Sequence, residues 1–434
     1  LKSSTATTRV RPLSHSKHNN KKQNFSNLLR SNLFLALKMK TTNIIFVLAS
    51  VLAATAFSLE KPRSVNHARL STSNYVQKKA PVIRESSTAL FTATAATASS
   101  GAASQTTEKK GGFLSAIWNE NTKLTFYLIV WYLGNIYYNI YNKKACNALG
   151  KNLHGQANAH WALSAAQLLV GVLFVLPLWL TGLRPAPKLT AENWKELSPV
   201  GLWAALAHAF SVLALGAGAV SFGQIVKAGE PVFAAATNAL LLKDIDHPLV
   251  YASLIPIIGG VGLASLKELS FTWTALIAAS LANQAAAFKN VVSKGVMNKA
   301  WAKSLGPQNT YAVVTILALV ATLPLVAIFD VKDAVAVYNQ VLKAGTGKDV
   351  IKYSLLSGLA FYLYNEASFL ALEKLNPVTH SVANTLKRVV IIVASCIVFQ
   401  TPMSLLGGIG SGIAILGTLL YSLAKKQYSK KGGH

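Results

Sequence analysis

From about residue 120 to residue 428 the chain returns again and again to apolar runs of membrane-crossing length. Ten are readable, at about 122–143, 158–182, 198–219, 221–242, 247–266, 271–293, 308–329, 350–373, 377–399 and 404–425. At 1.5 Å per residue, a helix of about 20 residues crosses the roughly 30 Å of bilayer hydrocarbon. Hydrocarbon offers the backbone no partners, so each run must close its hydrogen bonds within itself, as a helix does. Hydrophobic residues are 52% of the chain and charged residues 13%, against about a quarter charged in soluble domains. The expected fold class is an all-α membrane protein. Ten spans divide into five and five, which predicts two inverted five-helix repeats with a site at their interface. The transporter domain is read as residues 113–428, with halves of about 120–268 and 269–428. Two breaks stand out, LRPAPKLTAENWKEL at 183–197 and the mixed segment 330–349.

Charge inside the spans points to what such a site would hold. In PVTHSVANTLKRVVIIV (377–393), Lys387 and Arg388 fall in the middle of the ninth run. With Pro377 opening the helix, Lys387 lies about 15 Å along the axis, near the bilayer midplane. Two adjacent cations there cost several kcal/mol unless they face a cavity or an anion. His380, Asn384 and Lys387 share one helix face at i, i+4 and i+7, flanked by Ser381 and Arg388. The fourth run, the symmetry mate of the ninth, carries Lys227 in VSFGQIVKAGEPVF. The spans before these two carry polar pairs, His208 with Ser211 and Tyr364 with Ser368. Lysine supplies a point charge and arginine a planar fork suited to phosphate oxygens, so a phosphate dianion is the expected occupant.

Each signal has a structural rival. Lys227 could pair with Glu230 at i+3. His208 and Tyr364 could be packing residues, and Lys289 in AAAFKNVVSK an interface anchor in place of a cavity or gate residue. Glu230, His380 and Asn384 are the further cavity or gate candidates. Asn135 and Asn139 are expected to bond between helices. Cys146 and Cys396 read as packing residues.

The N-terminal quarter, residues 1–112, reads as an address. Residues 1–38 are basic and without acids, as upstream or disordered sequence. Residues 39–56 then read as a signal peptide: Lys40, an apolar run from Ile44 to Ala56, and an Ala-Thr-Ala site before Phe57. Residues 57–112, rich in Ser, Thr and Ala with eight Lys+Arg and three acids, resemble a plastid transit peptide or linker. A signal followed by a transit stretch is expected of a nucleus-encoded protein of a complex secondary plastid. Residues 429–434 form a polar tail.

The formal charge of +27 does not point to nucleic acid. Residues 1–112 hold 17 Lys+Arg and 3 Asp+Glu, and no basic stripe is interleaved with aromatics. No HExxH, GxSxG or Asp-rich metal motif is present, so neither an enzyme nor a metal or other cofactor is expected. The expected partners are the lipid bilayer, inorganic phosphate and small organic phosphates; oligomeric state is not legible.

At these residues the chain resembles the plastidic phosphate translocators of the drug/metabolite transporter superfamily, over about residues 120–428. The resemblance rests on WYLGNIYYNIYNKK, SFGQIVKAGEPVF, YLYNEASFLALEKLNPVTHSVANTLKRVVIIV and GIGSGIAILGTLLYS. It implies a ten-helix inverted-repeat antiporter of the inner plastid envelope that exchanges phosphate for phosphorylated C3, C5 or C6 compounds. It also implies a phosphate-binding set of His208, Ser211, Lys227, Tyr364, Lys387 and Arg388. Ser211 stands where the family has Thr, and Gly223-Gln224 where it has Thr-His. Triose phosphate and 3-phosphoglycerate are the favoured substrates. Phosphoenolpyruvate or pentose and hexose phosphates come next, and a nucleotide sugar is the more distant rival. Obligatory exchange would follow if an empty cavity with three close cations resisted closure and a bound dianion relieved it.

Overall fold

The computed structural model describes residues 120–151, 158–266, 271–375, 377–401 and 403–429. The expected signal, transit and C-terminal tail segments lie outside them. Among the described residues the regular structure is helical. The helices are α1 (Glu120–Leu149), α2 (His160–Leu180), α3 (Ala191–Ala217), α4 (Val220–Lys227), α5 (Glu230–Thr237), α6 (Pro248–Ala252) and α7 (Ile255–Leu266). They continue as α8 (Trp273–Met297), α9 (Ala300–Lys303), α10 (Gly306–Phe329), α11 (Ala334–Ala344), α12 (Gly347–Lys374), α13 (Pro377–Phe399) and α14 (Leu405–Ser429).

Eight helical segments are long and apolar enough to cross a membrane: 160–180, 191–217, 220–242, 248–266, 306–329, 347–374, 379–399 and 405–428. Helices α1 and α8 cover the first and sixth apolar runs but miss that mark. The reason is visible in their residues: α1 carries Asn135, Asn139 and Asn142, and α8 carries Asn283, Gln284, Lys289 and Asn290. Many of these are turned inward, with Asn135, Asn139, Asn142 and Asn283 buried. A helix surrounded by other helices has less need of apolar side chains than one facing lipid.

Both sequence breaks are partly helical. The third helix starts at Ala191, inside 183–197, because the Thr190 hydroxyl caps it by accepting the Asn193 amide. Within 330–349 lies α11, ended by Gly345 in the left-handed region at φ 66°. Its Val337 and Val341 pack on a cluster of Ala145, Cys146, Leu149, Leu163 and Val212. The charged and polar residues in both segments hide these helices from a search for apolar runs.

Three packings organise the bundle: α12 on α1, α8 on α3, and α14 on α7. The last depends on glycine. A Cβ on Gly260 would collide with Ala414 N and Gly410 O, and one on Gly410 would lie 2.7 Å from Gly260 O. Both partners present the same spacing, Gly260-x-x-x-Ala264 and Gly410-x-x-x-Ala414. Small residues four apart let two backbones touch without side chains between them.

One end of the bundle is sealed. There Lys143 donates to Leu215 O and Gly218 O at 2.7 Å each. Thr346 donates to Ala148 O and Asn158 to Gln340. Asp330 accepts the Ala162 amide at 2.7 Å. Burial raises the Asp330 carboxyl above its usual pKa, and the amides of Ala162 and Trp161 offset part of that rise. The opposite end stands open.

Candidate functional site

A cavity of about 680 Å³ enters from the open end. Its walls come from α1, α2, α3, α8, α10 and α12, and its depth from the α4–α5 junction. His208, Ser211, Lys227, Glu230, Lys289 and Tyr364 all line it. Lys387, Arg388, His380 and Asn384 do not belong to that lining. The sequence set is therefore split, with most of it facing the cavity and the α13 cations held behind the wall.

The fourth span is broken where it matters. Helix α4 ends at Lys227 and α5 begins at Glu230 after Ala228-Gly229. The freed carbonyls are satisfied from neighbouring helices: Asn283 donates to Val226 O at 2.9 Å and Thr418 to Ala228 O at 3.1 Å. Irregular backbone within membrane depth is tolerated where it lines a cavity or is buried in protein. The break turns both Lys227 and Glu230 into the cavity.

Glu230 does not take the local i+3 partner that the sequence offered. Arg388 Nη2, from α13, donates to Glu230 Oε2 at 2.8 Å, joining the two halves of the chain. No Lys227–Glu230 ion pair occurs among the described contacts. Arg388 is buried. The expectation of a cavity held open by three mutually repelling cations is corrected here. A carboxylate already sits among them and neutralises one.

Lys387 is held by aromatic faces. Its Nζ lies 5.0 Å from the Trp131 ring centroid and 6.0 Å from that of Tyr364. His380, one turn and more back along α13, stacks on Trp131 at 4.8 Å. A desolvated cation over Trp is held by about 2 kcal/mol, which two charge-assisted bonds to a phosphate in the same place would outweigh. Among the described residues no carboxylate forms an ion pair with Lys387, which its aromatic neighbours restrain.

His208 is buried beside Phe361, ring centroids 4.0 Å apart, and neither ring nitrogen has a hydrogen-bond partner. A buried polar group without a partner costs about 1–3 kcal/mol, which marks it as awaiting one. Ser211 donates to Ala207 O at 2.7 Å, leaving its oxygen free to accept. Gln224 donates to Asn139 Oδ1 at 2.9 Å, and Asn139 donates to Asn135. It is thus part of a buried network with α1 and does not line the cavity. The expected interhelical bond of Asn139 is present.

Toward the mouth the lining becomes polar, with Asn290, Ser293, Lys294, Asn298, Lys303 and Glu373. Sequence reading missed these residues because each sits near a helix end, where charge and amide side chains are ordinary. Among the described residues no group of His, Cys, Asp and Glu is arranged to hold a metal ion.

Comparison with known proteins places this architecture. The profile of the Triose-phosphate Transporter family matches residues 122–422. A glucose-6-phosphate/phosphate translocator 2 of Arabidopsis thaliana, chloroplastic, is 34% identical over 71% of this chain and 76% of its own. A triose phosphate/phosphate translocator of non-green plastids from Brassica oleracea var. botrytis is 36% identical over 68% of this chain and 71% of its own. A chloroplastic phosphoenolpyruvate/phosphate translocator 1 from Oryza sativa subsp. japonica is 35% identical over 68% and 70%. All three are named as translocators.

Proposed function

The chain belongs to the Triose-phosphate Transporter family, and from that premise we propose that it is a plastid-envelope antiporter. It exchanges inorganic phosphate for a small organic phosphate by alternating access. The observation that carries this reading is the cavity itself. Lys227 lines it at a helix break, His208 waits there without a partner, and Arg388 and Lys387 stand just behind its wall. Phosphate entering this cavity would accept from Lys227 and would compete with Glu230 for Arg388. Lys387 would leave its aromatic seat to join them, and His208, Ser211 and Tyr364 would orient the oxygens. The two halves would then be bridged by the ligand.

Ten crossings in two inverted repeats belong to the same proposal. The main packings exchange places when each span is shifted by five: first on eighth with sixth on third, second on eighth with seventh on third. The fifth and tenth spans pair with each other through matched Gly-x-x-x-Ala motifs. Five crossings is an odd number, so a repeat of five reverses its direction in the membrane.

Triose phosphate and 3-phosphoglycerate remain the favoured counter-substrates, on the GIGSGIAI motif at 408–415. A second reading, phosphoenolpyruvate or a pentose or hexose phosphate, is favoured by relatives named for those compounds at nearly the same identity. Cavities of about 300–1,000 Å³ take ligands across this whole size range, so volume does not choose. The innermost plastid envelope membrane is the proposed location.

The test is uptake of labelled phosphate into liposomes carrying the protein, each batch loaded with one candidate. Exchange against phosphate, dihydroxyacetone phosphate and 3-phosphoglycerate alone supports the first reading. Equal exchange against phosphoenolpyruvate or glucose 6-phosphate supports the second. No exchange with any load, from protein that is folded and inserted, overturns the function.

A further inference from the structure

The sealed and open ends carry a related short pattern, identical at an Asn, a Lys and a second Asn. In α1 it is Asn139-x-x-Asn142-Lys143-x-x-Cys146-Asn147, and in α8 it is Asn290-x-x-Ser293-Lys294-x-x-Met297-Asn298. The two align without a gap, in spans that would be symmetry mates. Their surroundings differ completely. Lys143 Nζ donates to Leu215 O and Gly218 O at 2.7 Å, with Gly216 O at 3.4 Å. Those carbonyls end α3 and open the turn into α4. Cys146 is fully buried there. Lys294 instead lines the mouth of the cavity with Met297, Asn290, Ser293 and Asn298, and Glu373 of α12 faces the same space.

The partner surface is repeated too. The turn that Lys143 holds precedes Ser221, Gln224 and Lys227. Its mate, the end of α12 at Lys374 and Leu375, precedes Ser381, Asn384 and Lys387 in the same spacing. The last carbonyls of a helix have no partner within it, and the helix dipole makes that end attractive to a cation. The end of α12 offers such carbonyls, and Glu373 adds a carboxylate.

We propose that Lys143 and Lys294 are the two gate cations of this transporter, each closing one end of the cavity. Lys143 clamps the α3 terminus when the cavity is open at the α8 end, as here. Lys294 clamps the α12 terminus, beside Glu373, when the protein has turned over and Lys143 has let go. They are positioning residues that set which end is open and make no contact with phosphate. This inference rests on the antiporter reading, because a protein that does not alternate has no use for two exclusive clamps.

The pattern supplies its own reporters. Native Cys146 becomes reachable only if the sealed end opens, and its mate Met297 lies at the open end. In nanodiscs, with Cys396→Ala to silence the other thiol, Cys146 labelling by a membrane-impermeant maleimide reads the population open at the sealed end. Lys143→Met, which gives up two charge-assisted hydrogen bonds, is expected to raise that labelling rate at least about tenfold. Lys294→Met is expected to lower it by a similar factor. A Met297→Cys reporter in a Cys146→Ala, Cys396→Ala background must move in the opposite sense, which excludes a local effect of Lys143 on the neighbouring thiol. Should Lys143→Met not fold, Lys294→Met decides alone through Cys146. Unchanged labelling, or shifts of the same sign in both lysine variants, overturns the gates. Liposome exchange by the wild type separates the two claims. Active exchange with unmoved reporters sinks the gates alone; absent exchange sinks the antiporter, while the reporters still judge whether the ends alternate.

Discussion

The fourth and ninth spans each carry a lysine and present it in different ways. The fourth breaks into α4 and α5 at Ala228-Gly229, and the break turns Lys227 and Glu230 into the cavity. The ninth, α13, continues unbroken from Pro377 to Phe399, and its cations lean on other groups, Arg388 on Glu230 and Lys387 on Trp131 and Tyr364. One half of the proposed clamp is set, while the other is stored against temporary partners. A membrane carrier gains from that asymmetry. Charges near the midplane are costly when bare, and a partner weaker than the substrate stabilises them without holding them permanently.

The largest effects should come from removing either lysine. Lys227→Gln and Lys387→Gln should each reduce phosphate exchange by about 100-fold, the loss of a charged contact to a dianion. If Lys387→Gln exchanges like wild type, the stored half of the clamp does not exist. Glu230→Gln sharpens the comparison next. It removes the competitor for Arg388, so phosphate binding in detergent should tighten by about tenfold while exchange slows, because release becomes harder. Weaker binding would mean that Glu230 organises the site and does not compete for it. Trp131→Leu, which removes the seat of Lys387, should change binding only several-fold, in keeping with about 0.5–2 kcal/mol for a cation over an aromatic ring. Ser211→Ala is the smallest, a few-fold loss of exchange corresponding to about 1 kcal/mol for one neutral hydrogen bond. An effect as large as that of Lys227→Gln would make the hydroxyl a primary ligand.

The sequence carried the helices well because hydrocarbon leaves so little freedom: one long helix covers eight of the ten ranges, and the fourth and fifth are covered by shorter helices separated by breaks. It also located the cations, since charge inside an apolar run is conspicuous. Partner choice was hidden. Glu230 has Lys227 three residues away and takes Arg388 from a helix distant in sequence, and only packing of α13 against α4 decides that. The break at Ala228-Gly229 was equally obscure, because Asn283 and Thr418, which satisfy its carbonyls, come from α8 and α14. Lys143 was legible only as a charge near a helix end. The signal that could have found it is the gapless match of Asn139–Asn147 with Asn290–Asn298. Amphipathic α11 was passed over because Asn339, Gln340 and Lys343 interrupt the apolar run, although Val337 and Val341 keep a helical spacing.

The most direct test of the clamp is an experimental structure of the protein with phosphate bound. The account predicts phosphate within hydrogen-bond distance of Lys227 and Arg388, the Arg388–Glu230 pair parted, and Lys387 turned from Trp131 toward the ligand. Phosphate bound elsewhere, with Arg388 still on Glu230, would contradict it.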